Sequence, residues 1–103
     1  MVKKISEKEF NEMNKDGVVV VDFNATWCGP CKMLAPVLEE VSEDFTGKAQ
    51  FVSVDTDENP ELARRFGIMN IPALVLLKNG EKADMNIGFV PKDVISEFVN
   101  KNL

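Results

Sequence analysis

The sequence predicts an α/β fold, a mixed central β-sheet with helices on both faces, and three observations carry that expectation. Runs rich in apolar and β-branched residues at 18–23, 51–55 and 73–77 have the pattern of strands buried on both faces. Segments with apolar residues at helical spacing alternate with those runs. Asn79-Gly80, directly after the third run, is the residue pair of a type I′ turn, so a last strand near 82–87 returns as an antiparallel hairpin.

Each element has its own local reason. Ser6 reads as the N-cap of a first helix over about 7–14, with Glu9 completing a capping box and Ile5 and Phe10 placed as a hydrophobic staple. Asp16-Gly17 ends that helix before the strand Val18-Val19-Val20-Val21-Asp22-Phe23. Beyond the cysteines, Met33, Leu34, Val37, Leu38, Val41 and Phe45 fall at helical spacing, and Pro36 within them is expected to kink the helix by removing a backbone donor. Asn59-Pro60 opens a short helix by the cap-then-proline rule, and Gly67 closes it. A final helix from about Pro91 to Asn102 presents Val94, Ile95, Phe98 and Val99 as its apolar face. Parallel crossovers plus one antiparallel hairpin assemble these into the mixed sheet.

With 103 residues and 45% hydrophobic content, the chain suits one domain with one core, large enough to need no disulfide staples. A net charge of -5 opposes non-specific binding to nucleic acid or to anionic membranes, both of which require clustered Lys and Arg. No apolar run approaches the roughly 20 residues of a membrane-spanning helix. The segment Met1-Val2-Lys3-Lys4-Ile5-Ser6-Glu7 has no apolar core of a signal peptide, so a cytoplasmic location is expected.

Both cysteines lie in Trp27-Cys28-Gly29-Pro30-Cys31, and the chain has no histidine. The two thiols are a turn apart with no other sulfur to pair with, so their redox chemistry is with each other and with a partner's disulfide. A thiolate is the attacking species, and an ordinary cysteine with a pKa of roughly 8.5 is mostly protonated in a cell. Cys28 falls where the buried strand ends and the next helix starts; unpaired N–H groups and a partial positive charge there stabilise an anion, and Lys32 adds to that field. Cys28 is therefore the candidate nucleophile and Cys31, one turn inside, the candidate resolving thiol, with Gly29-Pro30 pinning the turn. Metal binding is the rival reading. Zinc takes three or four protein ligands, and two cysteines without histidine leave carboxylates or a second chain to supply the rest. An inert thiol pair is the third.

The segment Val21-Asp22-Phe23-Asn24-Ala25-Thr26-Trp27-Cys28-Gly29-Pro30-Cys31-Lys32 closely resembles the active-site segment of thioredoxins. The likeness continues in collinear order through Pro36, Asp57-Glu58-Asn59-Pro60, Phe66-Gly67-Ile68, Ile71-Pro72, Lys78-Asn79-Gly80 and Gly88. It implies the thioredoxin fold, a single domain over 1–103 with a central mixed five-stranded sheet flanked by four helices. It implies a protein-disulfide reductase that needs no cofactor beyond the Cys28–Cys31 disulfide, acts on disulfide-containing target proteins, and is recycled by a thioredoxin reductase. A monomer is expected.

The resemblance also assigns residues. Pro72, after Ile71, maps onto a cis-proline that faces the cysteines. Asp22 maps onto a buried acid that accepts the proton of the resolving cysteine, and a carboxyl inside Val-Val-Val-Val-Asp-Phe is expected to be desolvated, which raises its pKa. Trp27, Gly67, Ile71, Pro72 and Gly88 form the expected substrate-facing rim, where small and apolar residues admit an extended target chain.

Three positions depart from the family pattern. Asn24 stands where many members have tryptophan, Ala73 where many have threonine, and Ser53 where a lysine often lies close to the buried acid. Without that cation, Asp22 is expected to titrate higher. A binding module that uses only the docking surface, and an oxidant or isomerase that runs the same chemistry in reverse, are the alternative roles. Asp55-Thr56-Asp57-Glu58-Asn59 starts like a calcium loop, but it places Pro60 where that loop requires glycine. Arg64-Arg65 is too short for a nucleic-acid patch.

Overall fold

A computed structural model describes all residues 1–103. The chain runs β1 (Val2–Lys4), α1 (Glu7–Glu12), β2 (Val18–Asn24), α2 (Gly29–Asp44), β3 (Ala49–Asp55), α3 (Pro60–Arg65), β4 (Ala73–Lys78), β5 (Glu81–Ile87) and α4 (Lys92–Asn100). The five strands form one sheet in the order β1-β3-β2-β4-β5. β1 and β2 each pair with β3 in parallel, while β4 is antiparallel to both β2 and β5.

Local signals did what their chemistry requires. Ser6 accepts the Glu9 amide at 3.2 Å and the Glu9 carboxylate accepts the Ser6 amide at 3.0 Å, which closes the capping box. Ile5 and Phe10 are buried in the same core cluster. Gly67 adopts φ +66°, and the Gly67 and Ile68 amides bond back to the Arg64 and Ala63 carbonyls, the paired bonds of a glycine-terminated helix. Asn79 and Gly80 both have positive φ, 52° and 85°, as a type I′ turn needs.

The buried strands sort their side chains by parity. Val19, Val21 and Phe23 of β2 pack with Phe10, Leu62 and Ala63 beneath α1 and α3. Val18 and Val20 pack with Leu34, Leu38, Val41, Ile95, Phe98 and Val99 beneath α2 and α4. Alternation along the strand therefore turns Asp22 toward the α2 side.

Several expectations need correction. β1 has no periodic signature in its three residues, so pattern does not reveal it; it exists because β3 offers an edge, to which Val2, Lys3 and Lys4 register against Phe51, Val52 and Ser53. The connection from β3 to β4 is not a parallel crossover. A six-residue helix advances about 9 Å, well short of the roughly 23 Å of a seven-residue strand, so α3 stays at the end where β3 stops. The chain then starts β4 with Ala73 opposite Phe23, at the same end of the sheet. Asn59 does not cap α3 with its side chain; its amide donates to the Asp55 carbonyl and its oxygen accepts the Glu7 amide instead. Met33 is 60% exposed and Val94 41% exposed, although helical spacing places both on apolar faces. Leu34, Leu38, Val41 and Phe45 already complete the stripe on α2, as Ile95, Phe98 and Val99 do on α4, and the remaining apolar residues fall at the margins. The expectation that Pro36 lies inside the second helix holds, as α2 spans Gly29–Asp44 around it.

Candidate active site

Three chain segments meet beyond the carboxyl ends of the parallel strands β2 and β3, a place where α/β sheets commonly leave a crevice. β2 delivers the loop that ends at Cys28, β3 delivers residues 56–59, and β4 begins after Ile71-Pro72. The Thr56 amide and hydroxyl both donate to the Asn24 carbonyl, at 2.8 and 3.1 Å, which ties the first two segments together.

Cys28 is the N-cap of α2 and Pro30 stands in its first turn. The Cys31 amide donates to Cys28 Sγ at 3.2 Å, so one of the unpaired donors of the helix start is aimed at this sulfur. Cys28 and Cys31 are joined as a disulfide with their Cα atoms 5.3 Å apart. Each is only 5% exposed, and both pack with Ala25 and the half-buried Ile71. No group of three or more His, Cys, Asp or Glu side chains is placed to hold a metal ion.

The other predicted residues fall into two sets. Ile71 touches the cysteine cluster, the Ile71–Pro72 peptide bond is cis, and the Gly88 amide donates to the Pro72 carbonyl at 2.8 Å, so these three form one side of the site. Gly88 needs its φ of +93°, a conformation that favours glycine. Gly67 is accounted for by the end of α3. Trp27 projects from the rim at 69% exposure, and its indole N–H donates to Asp57 Oδ2 at 2.8 Å.

Asp57 enters the sequence reading only within the calcium-like run and the thioredoxin-like Asp57-Glu58-Asn59-Pro60, with no role of its own, and only the fold brings it to Trp27. Its loop is shaped by Asp55, whose Oδ1 accepts the amides of Asp57 and Glu58 at 2.8 and 3.1 Å. Asp57→Ala is expected to release the indole and lower the rate of target reduction about fivefold, with the reduction potential unchanged, because one charge-assisted hydrogen bond is lost at an exposed site. Steady-state reduction of a peptide disulfide, alongside a redox titration, checks this; a shifted potential would place Asp57 in the couple itself.

Asp22 is 3% exposed and lines a cleft of about 320 Å³ together with Cys31, Asn24, Ser53, Lys4, Lys32 and Glu39. Burial pushes its carboxyl from 3.8 up to about 6, partly opposed by a hydrogen bond from Asn24. Oδ2 accepts the Asn24 amide at 3.2 Å, and Oδ1 has no partner. A nearly dry acid poised near neutrality, lining the same cleft as Cys31, is suited to taking a proton from that sulfur once the disulfide is opened.

Comparison with known proteins agrees with this geometry. A model of the thioredoxin family matches residues 1–101. The chain is 48% identical to a thioredoxin of Staphylococcus haemolyticus and 46% identical to one of Bacillus subtilis, in each case over 102 residues covering 99% of this chain and 98% of the relative. The crystal structure of a chloroplastic thioredoxin z superposes with a TM-score of 0.87 at 38% identity, covering 97% of this chain and 92% of that one. With its five-stranded mixed sheet, four helices and a disulfide across Cys28-Gly29-Pro30-Cys31, the chain belongs to the thioredoxin family of thiol–disulfide oxidoreductases.

Proposed function

We propose that this chain, as one domain over 1–103, reduces protein disulfides with Cys28 as nucleophile, Cys31 as resolving thiol and Asp22 as proton acceptor. The Cys28 thiolate attacks one sulfur of the target disulfide, forming a mixed disulfide and expelling the other target sulfur as a thiolate, which takes a proton from water. Cys31 then yields its proton to Asp22 and attacks Cys28 Sγ. The second target sulfur leaves as a thiolate, is protonated, and the Cys28–Cys31 disulfide remains. Two electrons have passed to the target. A thioredoxin reductase restores the dithiol, so the chain carries electrons between proteins, as a monomer in the cytoplasm, with no cofactor other than its own disulfide. Trp27, Gly67, Ile71, Pro72 and Gly88 frame the docking rim, while Gly29 and Pro30 hold the two sulfurs one turn apart.

The observation that carries this reading is Cys28 Sγ at the N-cap of α2, receiving the Cys31 amide at 3.2 Å. A donor fixed in that position favours the anion that attacks and the anion that leaves. No helix is long and apolar enough to cross a membrane.

The test is a redox-buffer titration followed by the fluorescence of Trp27, the single tryptophan and the neighbour of Cys28. A single two-electron transition at a strongly reducing potential is expected. A transition in the oxidising range would assign the chain to oxidation or isomerisation, and no transition would leave only a docking role.

A further inference from the structure

The mechanism asks a carboxylate to be charged in a place that offers it almost nothing. Asp22 is 3% exposed, Oδ1 is unpartnered, and Oδ2 has one hydrogen bond. Two of the positions that depart from the family pattern, Asn24 and Ser53, meet at this carboxylate. Ser53 is the register partner of Asp22 across the parallel pair of β2 and β3, and Lys4 is the register partner of Ser53 on β1. The row therefore reads lysine, serine, aspartate across three strands.

Lys4 is the cation one would turn to first, but its ammonium lies 3.2 Å from Glu58 and its side chain is mostly exposed. Lys32 and Glu39 of α2 line the same cleft with opposite charges, and Cys31 is bound in the disulfide. The remaining elements facing this cleft contribute no further ionisable group. What does reach the carboxylate is the Asn24 amide, which donates to Ser53 Oγ at 2.7 Å and to both the Asp22 carbonyl and Asp22 Oδ2 at 3.2 Å. A carbonyl, a carboxylate and a hydroxyl surround this group, so the amide nitrogen and not its oxygen points inward. The short bond to Ser53 anchors the side chain. The other hydrogen is divided between two acceptors of Asp22, which leaves the carboxylate partly satisfied.

We propose that Asn24 is a positioning residue for Asp22: its amide, anchored on Ser53, is the donor that sets how readily the buried carboxylate gives up and regains its proton. A neutral amide thereby stands where a cation is absent. The inference rests on the proposed role of Asp22 only for its catalytic consequence; the control over ionisation stands independently.

The experiment is a titration of the Asp22 carboxyl by ¹³C NMR in the reduced full chain, for the parent, Asn24→Leu and Asn24→Ala. Leucine keeps the volume and removes the donor; alanine removes both, so a failure of one variant to fold leaves the other. Loss of a hydrogen bond to a charged group is expected to move the Asp22 midpoint upward by about one pH unit. The pH limb of mixed-disulfide resolution, measured by stopped flow, is expected to move with it. An unmoved Asp22 midpoint in a folded variant overturns the role of Asn24. A moved midpoint with an unmoved resolution limb upholds that role, and the failure then belongs to Asp22 as proton acceptor.

Discussion

Cys28→Ser is expected to reduce turnover of a protein disulfide by more than about 1,000-fold, because a serine hydroxyl in the same place is not ionised and does not attack sulfur. Cys31→Ser is expected to lose turnover to the same extent by a different route. Its Cys28 remains at the N-cap of α2 and makes the first attack, but no second thiol is present to displace the target. A stable mixed disulfide through Cys28 should therefore accumulate in Cys31→Ser and be absent in Cys28→Ser, as intact mass under non-reducing conditions will show. The donor at 3.2 Å comes from the backbone of residue 31 and survives either substitution, so the contrast isolates the sulfurs. Adduct formation by Cys28→Ser instead would reverse the two roles.

The second large effect concerns Asp22, and it has opposite signs for stability and for rate. Burial raises its carboxyl from 3.8 to about 6. Between those pH values the folded chain holds a proton that the unfolded chain has released, so stability falls as pH rises through that window. Above it the buried charge costs about 3 kcal/mol, since each pH unit between the two values is worth about 1.4 kcal/mol. Asp22→Asn is thus expected to be more stable than the parent by about 3 kcal/mol at pH 7.5 and by almost nothing near pH 4. Urea unfolding of the oxidised proteins at the two pH values checks this, and a gain that is the same at both would show that the charge is not its source. The same substitution removes the proton acceptor, so resolution at pH 7 is expected to slow by about 100-fold and to lose its dependence on pH near 6. An unchanged resolution rate across pH would end the acid–base role. A group that costs stability and supports turnover is what a functional site is expected to contain.

The desolvation expected of a carboxyl within the apolar run of β2 is in keeping with the rise of Asp22 to about 6. Desolvation dominates, and the partial compensation comes from Asn24, which the sequence marks only as a missing tryptophan. Asn24 and Ser53 are 29 residues apart, so no spacing rule could connect them. The contact between Asp57 and Trp27 escapes a reading of the sequence for the same reason: the two are 30 residues apart and on different loops.

What the sequence determined alone is what local chemistry controls. The Ser6–Glu9 capping box, the positive φ angles at Gly67, Asn79 and Gly80, and the β-branched run of β2 each depend on neighbours within a few residues. The redox pair is equally local, since Cys28 and Cys31 lie one helical turn apart wherever that helix sits. Only the tertiary structure decided the direction of β4, the existence of β1, the outward turn of Met33 and Val94, and the group that reaches the buried carboxylate. Each of those is settled by which strand or helix lies across the gap. Burial and hydrogen bonding are properties of the assembled sheet and its helices, and the periodicity of any one segment does not contain them.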